Sequence, residues 1–377
     1  MKAFKYKLRP SPRVARLFEH WLDICRELHN AGLEERIKAY RMNGVSVSYA
    51  VQCAELPEVK AGRPDVAAVN AQVLQQVLKR LNRSFENFFR RVKNGDRPGF
   101  PRFKSKRRYD SFTFPQAKGG FRLEGKKLHL SKIGSVRVFV SRPLEGVPKT
   151  CTIKREADGW YAVITCDVPK AEPLPETGQA VGIDLGIETF ARLHDDTAIE
   201  NPKLLKRAER RLKTAQRRVS RRKRGSRRRK QAVVLLAKHH QKVARQRRDF
   251  HFKTAKDLVA RFDRIAVEDL NVKGMVKNHH LAKAIHDAAW NTFLDILHGK
   301  VEETGRVLVR VDARFSSADC SRCGNRVRKS LSEREHRCIA CGLVVHRDTN
   351  AARNILARGH RVRGEVGLPA SMNRVPA

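Results

Sequence analysis

Hydrophobic and polar residues alternate from the start of the chain. Phe4, Tyr6 and Leu8 are separated by Lys5 and Lys7, the period of a half-buried strand. Ser11-Pro12 then supplies an N-cap and a first helical residue, and the period changes to that of a helix. Val14, Leu17, Phe18, Trp21, Cys25 and Leu28 form one apolar stripe, and Leu74, Val77, Leu78, Leu81, Phe85 and Phe88 form a second. Both read as core faces without chemistry, and they predict a helical domain over 11–95. After the breaker-rich NGDRPGFPRF, period two returns at Phe112 and Phe114, Phe121 and Leu123, Leu128 and Leu130, and Val136, Val138 and Val140. Asp158-Gly159, between CTIKREA and WYAVITCDV, is a type I′ hairpin signal. Residues 96–170 therefore predict a small β-barrel, completed by a first strand in 1–10 and carrying the helical domain as an insertion.

Residues 171–179 hold two prolines and follow neither period, as a linker would. Beyond them VGIDLGIETFARLHDD predicts two strands, and RIAVEDL and RVLVRVD predict buried strands. LAKAIHDAAWNTFLDILHGKVEETG predicts one helix closed by Gly305. HRDTNAARNILAR closes a domain spanning 180–358, and 359–377 is expected to be a mobile tail.

Charge changes this picture. Lys plus Arg at 80 against Asp plus Glu at 39 leaves a net charge of +41, while the apolar share of 41% is that of a folded protein. A folded polycation requires an anionic partner, and nucleic acid fits better than a membrane surface. No run of about 18 apolar residues occurs, and MKAFKYKLRPSP has no apolar signal segment, so a soluble cytoplasmic protein with no membrane partner is expected. Residues 201–250 contain 21 Lys or Arg against only Glu209 and Asp249. Gly225-Ser226 divides them into two antiparallel helices over 203–248. A solvated face would repel itself, so Arg217, Arg218, Arg221, Arg222, Arg227 and Arg228 are assigned to phosphate contacts.

Eight cysteines are too few for a disulfide scaffold. Cys25, Cys53, Cys151 and Cys166 are scattered, whereas Cys320-x-x-Cys323 and Cys338-x-x-Cys341, each followed by Gly, have the spacing of a four-thiolate zinc ribbon over 316–345. Four protein ligands leave no open position, so one Zn²⁺ there would be structural. Asp184 lies inside an apolar strand, Glu268 ends another and Asp348 opens an apolar helix. Each alone could be a cap or a paired acid; three converging carboxylates suit two Mg²⁺ ions that hold a scissile phosphate. Asp269, next to Glu268, should face the other side of its strand.

VGIDLGIETFA, RIAVEDLNV, SSADCSRCG and CIACGLVVHRDTNAARNI resemble the three RuvC motifs and zinc ribbon of TnpB, the transposon-encoded RNA-guided nuclease family related to type V CRISPR effectors. MKAFKYKLRPSP, the Asn30 region and GFPRFKSKRRYDSF resemble its amino-terminal segments more thinly. The resemblance implies a multidomain protein with an α/β RNase H-like RuvC nuclease domain. Asp184, Glu268 and Asp348 would be its metal-binding catalytic acids, and the barrel and helical insertion its wedge and recognition domains. It also implies a guide RNA derived from the transposon end and a DNA target. All three acids are present, unlike in relatives that resemble nuclease-dead repressors. Two departures are visible: His346 stands where an acid is common, and HGKVEETG is less aromatic than usual. An RNA-guided, Mg²⁺-dependent DNA endonuclease is expected. The rival readings are a strand-transferring DNA transposase, though no helix-turn-helix signal stands out, and a non-catalytic nucleic-acid-binding regulator.

Overall fold

The computed structural model describes residues 1–330 and 333–362. They form two compact units, Met1–Pro169 and Lys170 onward.

In the first unit, β1 (Lys2–Arg9) is followed by five helices: α1 (Pro12–Asn43), α2 (Tyr49–Ala54), α3 (Leu56–Gly62), α4 (Pro64–Ala67) and α5 (Ala71–Lys93). Six strands complete it: β2 (Ser111–Phe114), β3 (Phe121–Glu124), β4 (Lys127–Leu130), β5 (Gly134–Phe139), β6 (Val147–Glu156) and β7 (Gly159–Asp167). Ser11 caps α1 by accepting from Val14 N, and Pro12 opens it. β1 lies between β7 and β5 in an antiparallel sheet of order β2-β6-β7-β1-β5-β4-β3. Its inward residues Phe4, Tyr6 and Leu8 share one core with Phe112, Phe114 and Ile164. Phe18 and Trp21 of α1 enter that core, their rings 5.8 and 5.4 Å from Phe112.

The ladder is open. β2 and β3 do not pair with each other among the described residues, so no hydrogen-bonded closure into a barrel is drawn. Both are four-residue edges, and the aromatic face that closure would shield is covered instead by α1 and α5.

The second unit begins with β8 (Ala180–Leu185), β9 (Thr189–Leu193) and β10 (Ala198–Glu200), then α6 (Leu204–Ser220), α7 (Arg227–Arg261) and β11 (Arg264–Glu268). α8 (Val272–Met275), α9 (His279–Ala288), α10 (Trp290–Thr304), β12 (Val307–Val311), β13 (Glu335–Arg337), β14 (Val344–His346) and α11 (Arg347–Arg361) follow. The main sheet has the order β10-β9-β8-β11-β12, with β8, β11 and β12 parallel and the hairpin strands antiparallel. One face presents Val181, Ile183, Ile265 and Val267 to Leu258 of α7 and Phe293 and Leu297 of α10. The other presents Ala266, Val309 and Val311 to Ile355 of α11. Burial on both faces explains why these strands read as continuous apolar runs.

Several boundaries differ from the sequence reading. α7 continues past 248 to Arg261, because its basic part gives way to an apolar stripe of Ala255, Leu258 and Val259 that enters the core. The helix expected over 281–305 is broken at Ala289, which sits in the left-handed region at φ 51°. Neighbours fix this break. Asp287 accepts from Leu205 N at 2.9 Å, and His251 Nε2 meets Ala288 O at 3.0 Å. Residues 171–179 have no regular element, yet they are strapped down. Asp263 accepts from Thr177 N and Gly178 N, and Arg306 reaches Pro175 O at 2.9 Å. α11 runs to Arg361, three residues beyond the expected domain end at 358; the rest of the expected tail, 363–377, lies outside the described residues. Among the described residues no helix is long and apolar enough to cross a membrane.

Candidate active site and metal centre

Two glycines place α11 on the sheet. A Cβ at Gly182 would lie 2.1 Å from Ala352 O, and one at Gly359 would lie 2.5 Å from the Cβ of Ala266. At Gly182 backbone therefore meets backbone, at Gly359 it meets the Ala266 methyl, and Gly359, expected at the start of a tail, is a packing residue. Asp348 lies one turn before Ala352 on the same face. β8 and β11 are paired in parallel up to Ile183 and Val267, so one further residue sets Asp184 beside Glu268 on the α11 side. Three distant segments thus deliver three acids to one place.

The electrostatics fit this placement. Burial, then the charges of Glu268 and Asp348, push the Asp184 carboxyl well above the ordinary carboxylate range. Burial likewise raises Glu268, only 7% exposed, against the opposing pull of the Ser316 hydroxyl that donates to its Oε1. Asp184 and Glu268 so placed resist ionisation until a cation joins them, and oxygen donors of this kind suit Mg²⁺. They are more widely spread than a one-ion cage: among the described residues, only the four cysteines bring three or more ligand atoms all within 4.8 Å of one another. Asp269 faces Arg310 at 3.7 Å, away from the triad. His346, not Asp348, caps α11: its Nδ1 accepts from Asp348 N at 3.2 Å, and burial lowers its pKa, favouring the neutral ring that this bond needs. The Asp348 carboxylate is thereby spared the capping role, and its Oδ1 accepts from Arg347 Nε at 3.3 Å.

The cysteine group is compact. Sγ of Cys320 and Cys341 are 3.6 Å apart, as are those of Cys323 and Cys338. A tetrahedron with metal–sulfur bonds of about 2.3 Å sets sulfurs about 3.8 Å apart, so the four fit one Zn²⁺. Gly324 and Gly342, at φ 76° and 71°, make the two turns, closed by bonds from Gly324 N to Cys320 O and from Gly342 N to Cys338 O. β13 and β14 pair so that Glu335 opposes His346, and the hairpin carrying Cys338 and Cys341 runs directly into the cap of α11.

Three residues not singled out from the sequence join the two centres. Asn350 Oδ1 accepts from Ser321 N at 2.9 Å and its Nδ2 donates to Asp319 O at 2.8 Å. Asn354 Nδ2 donates to Ser316 O and Asp319 O at 2.8 and 2.7 Å. α11 thereby grips the loop that holds both Ser316, the partner of Glu268, and Cys320. Asn350 is fully buried, so its amide must be satisfied within the protein, and its bonds to Ser321 and Asp319 satisfy it.

The basic hairpin exposes Arg217, Arg218, Arg221, Arg222, Arg227 and Arg228. The acids of that stretch are engaged by lysines, Glu209 with Lys213 and Lys283, and Asp249 with Lys253. Arg229 is different: its Nη1 donates to Val219 O and Arg222 O and closes the end of α6.

Family models match three parts of the chain. One, OrfB_IS605, described as "Probable transposase", matches residues 163–279, and one described as "Cas12f1-like, TNB domain" matches 290–355. A protein of Streptomyces pristinaespiralis named "Putative RNA-guided DNA endonuclease" is 36% identical over 366 residues, covering 95% of this chain and 89% of that protein. The chain belongs to the OrfB/TnpB family. A family member of Escherichia coli (strain K12), of the same name with the suffix InsQ, is 29% identical over 96% of this chain and 93% of its own length. The family's relation in fold extends to a solved Cas12f1-sgRNA-target DNA complex, with a TM-score of 0.57 at 15% identity over 92% of this chain and 83% of that one. A third model, described as "Helix-turn-helix domain", matches 1–44. In this chain that segment is one strand and one unbroken helix, β1 and α1, with no second helix.

Proposed function

We propose that the chain is an RNA-guided DNA endonuclease of a transposable element, with Asp184, Glu268 and Asp348 as the metal-binding acids of a RuvC-like site. What supports this is placement: the parallel register of β8 and β11 sets Asp184 beside Glu268, and the close packing of α11 on Gly182 brings Asp348 to the same end of the sheet. Two Mg²⁺ ions held there would supply the charge that activates a water and stabilises the leaving oxygen. Ser316 orients Glu268 through its hydroxyl, and Asn354 holds the loop of Ser316. Cys320, Cys323, Cys338 and Cys341 would hold one structural Zn²⁺, which leaves no coordination site for substrate. The exposed arginines of the α6–α7 hairpin grip phosphates of guide RNA or target DNA without reading bases. The seven-stranded sheet would serve as the wedge domain and α1–α5 as the recognition domain. Likeness to the named endonucleases supports this reading.

The test is expression together with flanking transposon DNA, sequencing of the RNA that co-purifies, and incubation with a plasmid matched to it. Mg²⁺-dependent cutting of the matched plasmid alone is expected. Cutting without RNA, or joined strands in place of cut ends, would overturn it.

A further inference from the structure

The apolar stripe of α5 reads as core through Phe88, but burial ends at Leu81. Beyond it Phe85, Phe88, Phe89, Tyr40 and Phe100 line an open cavity of about 810 Å³ in the first unit. Phe88 meets Phe89 and Phe100 edge to face at 5.2 and 5.3 Å, and Phe89 and Phe100 remain 60% and 48% exposed. An aromatic surface of this extent marks a binding site more often than idle surface.

The polar wall of the cavity is Arg36, only 8% exposed. Its Nε donates to Gln52 Oε1 at 2.9 Å and its Nη1 to Asn82 Oδ1 at 3.1 Å, but its Nη2 has no partner. A buried cationic donor left without a partner is costly, so an acceptor entering the cavity is favoured. Glu86, on the same wall, already accepts from Asn82 Nδ2 at 2.6 Å. The segment carrying Phe100 is held in place by Asn30, whose Nδ2 donates to Lys104 O at 3.0 Å and whose Oδ1 accepts from Lys104 N at 2.8 Å. The rim is cationic: residues 90–108 contain nine Lys or Arg against Asp96 alone, and the last turn of α1 carries Arg41.

We propose that this cavity captures an unstacked nucleobase from a single strand of RNA or DNA. The phenylalanines offer it a stacking face, Arg36 a donor for an acceptor on its edge, and the rim a path for the flanking phosphates. A second copy of the chain fits worse, because two cationic rims of a +41 chain would be brought together. The proposal rests on the nucleic-acid-binding reading above and adds to it a site outside the nuclease domain.

The test uses the full chain, purified free of nucleic acid, with 5-iodouracil-containing single-stranded 15-mers of RNA and of DNA. Phe89 and Phe100 are exposed, so Phe89→Ala and Phe100→Ala should fold, as circular dichroism will verify. Phe89→Ala should weaken binding by about 5- to 150-fold, the worth of one stacked base, without changing the salt dependence, and Phe89→Trp should restore it. Ultraviolet crosslinks should map to peptides within 85–100, and the oligonucleotide that loses more affinity identifies the source of the base. Crosslinks confined to the α6–α7 hairpin, with Phe89→Ala binding like wild type, would overturn the pocket and leave the nuclease reading standing. Failure of both oligonucleotides to bind would overturn both. A wild-type dimer dissolved by Phe89→Ala with unchanged oligonucleotide affinity would give the surface to a second copy instead.

Discussion

The two candidate metal centres of the second unit are built in opposite ways. The ribbon draws four soft ligands from positions 320 to 341, closes them within 4.8 Å, and buries Cys320 and Cys338 in a small core with Leu343. The acidic site draws three hard ligands from positions 184, 268 and 348, spreads them more widely, and leaves Asp184 and Asp348 half-buried. A closed cage stores folding energy, whereas an open one keeps charge available for chemistry. The loop between them, gripped by Asn350 and Asn354, makes the first a support for the second.

Breaking the acidic side should have the largest effect. Asp184→Asn, Glu268→Gln and Asp348→Asn should each lower cleavage of a matched target by at least about a thousandfold while leaving target binding intact, and Asp269→Ala should be mild. Breaking the ribbon should be felt across the comparison. Cys338→Ser should lose zinc by elemental analysis and lower cleavage by at least about tenfold, because β14 leads into the cap of α11. Full activity in a zinc-free protein would separate the two centres. Asn354→Ala, which cuts the link and leaves both ligand sets whole, should raise the Mg²⁺ concentration needed for half-maximal cleavage by about 10- to 100-fold.

Smaller effects sharpen the contrast. Replacing Arg217, Arg218, Arg221 and Arg222 by Gln should flatten the dependence of log affinity on log salt by up to about 0.9 per lost contact on duplex, equally for matched and mismatched targets. The smallest effect is on stability. A carboxyl whose folded pKa is raised, like Asp184, lets the folded state hold its proton longer; the fold is favoured below the unfolded value of about 4, and that advantage is lost as pH rises through the folded value. In chelator, melting temperature should therefore fall over that window in wild type and fall less in Asp184→Asn, which should melt a few degrees higher at neutral pH. Mg²⁺ should stabilise wild type more than the variant.

Legibility in the sequence followed the range of the interactions. Cysteine spacing, the alternation of β1 and the Ser11-Pro12 cap are local, and each element stands where its pattern places it. The apolar strands carrying Asp184 and Glu268 were equally plain, and an acid set in each, with Asp348 opening an apolar helix, singled out the three carboxylates from the residues, whereas the guide RNA rested on resemblance alone. Tertiary partners decided the rest. Ala289 adopts a left-handed conformation without a glycine because Asp287 and His251 hold the chain on its amino-terminal side. Gly359, expected at the start of a tail, is a contact with the sheet, while Phe85 and Phe88 keep helical spacing after the core beneath them has ended. Ser316, Asn350 and Asn354 were hidden because a hydrogen bond to a distant carbonyl or carboxylate leaves no period in the chain.

The most direct test is anomalous diffraction from crystals of the chain with its RNA and target DNA, grown with Mn²⁺ in place of Mg²⁺ and measured at the zinc and manganese edges. One zinc peak should lie among the sulfurs of Cys320, Cys323, Cys338 and Cys341. Two manganese peaks about 4 Å apart should lie against Asp184, Glu268 and Asp348. Manganese at Asp269, or none beside the three acids, would contradict the account.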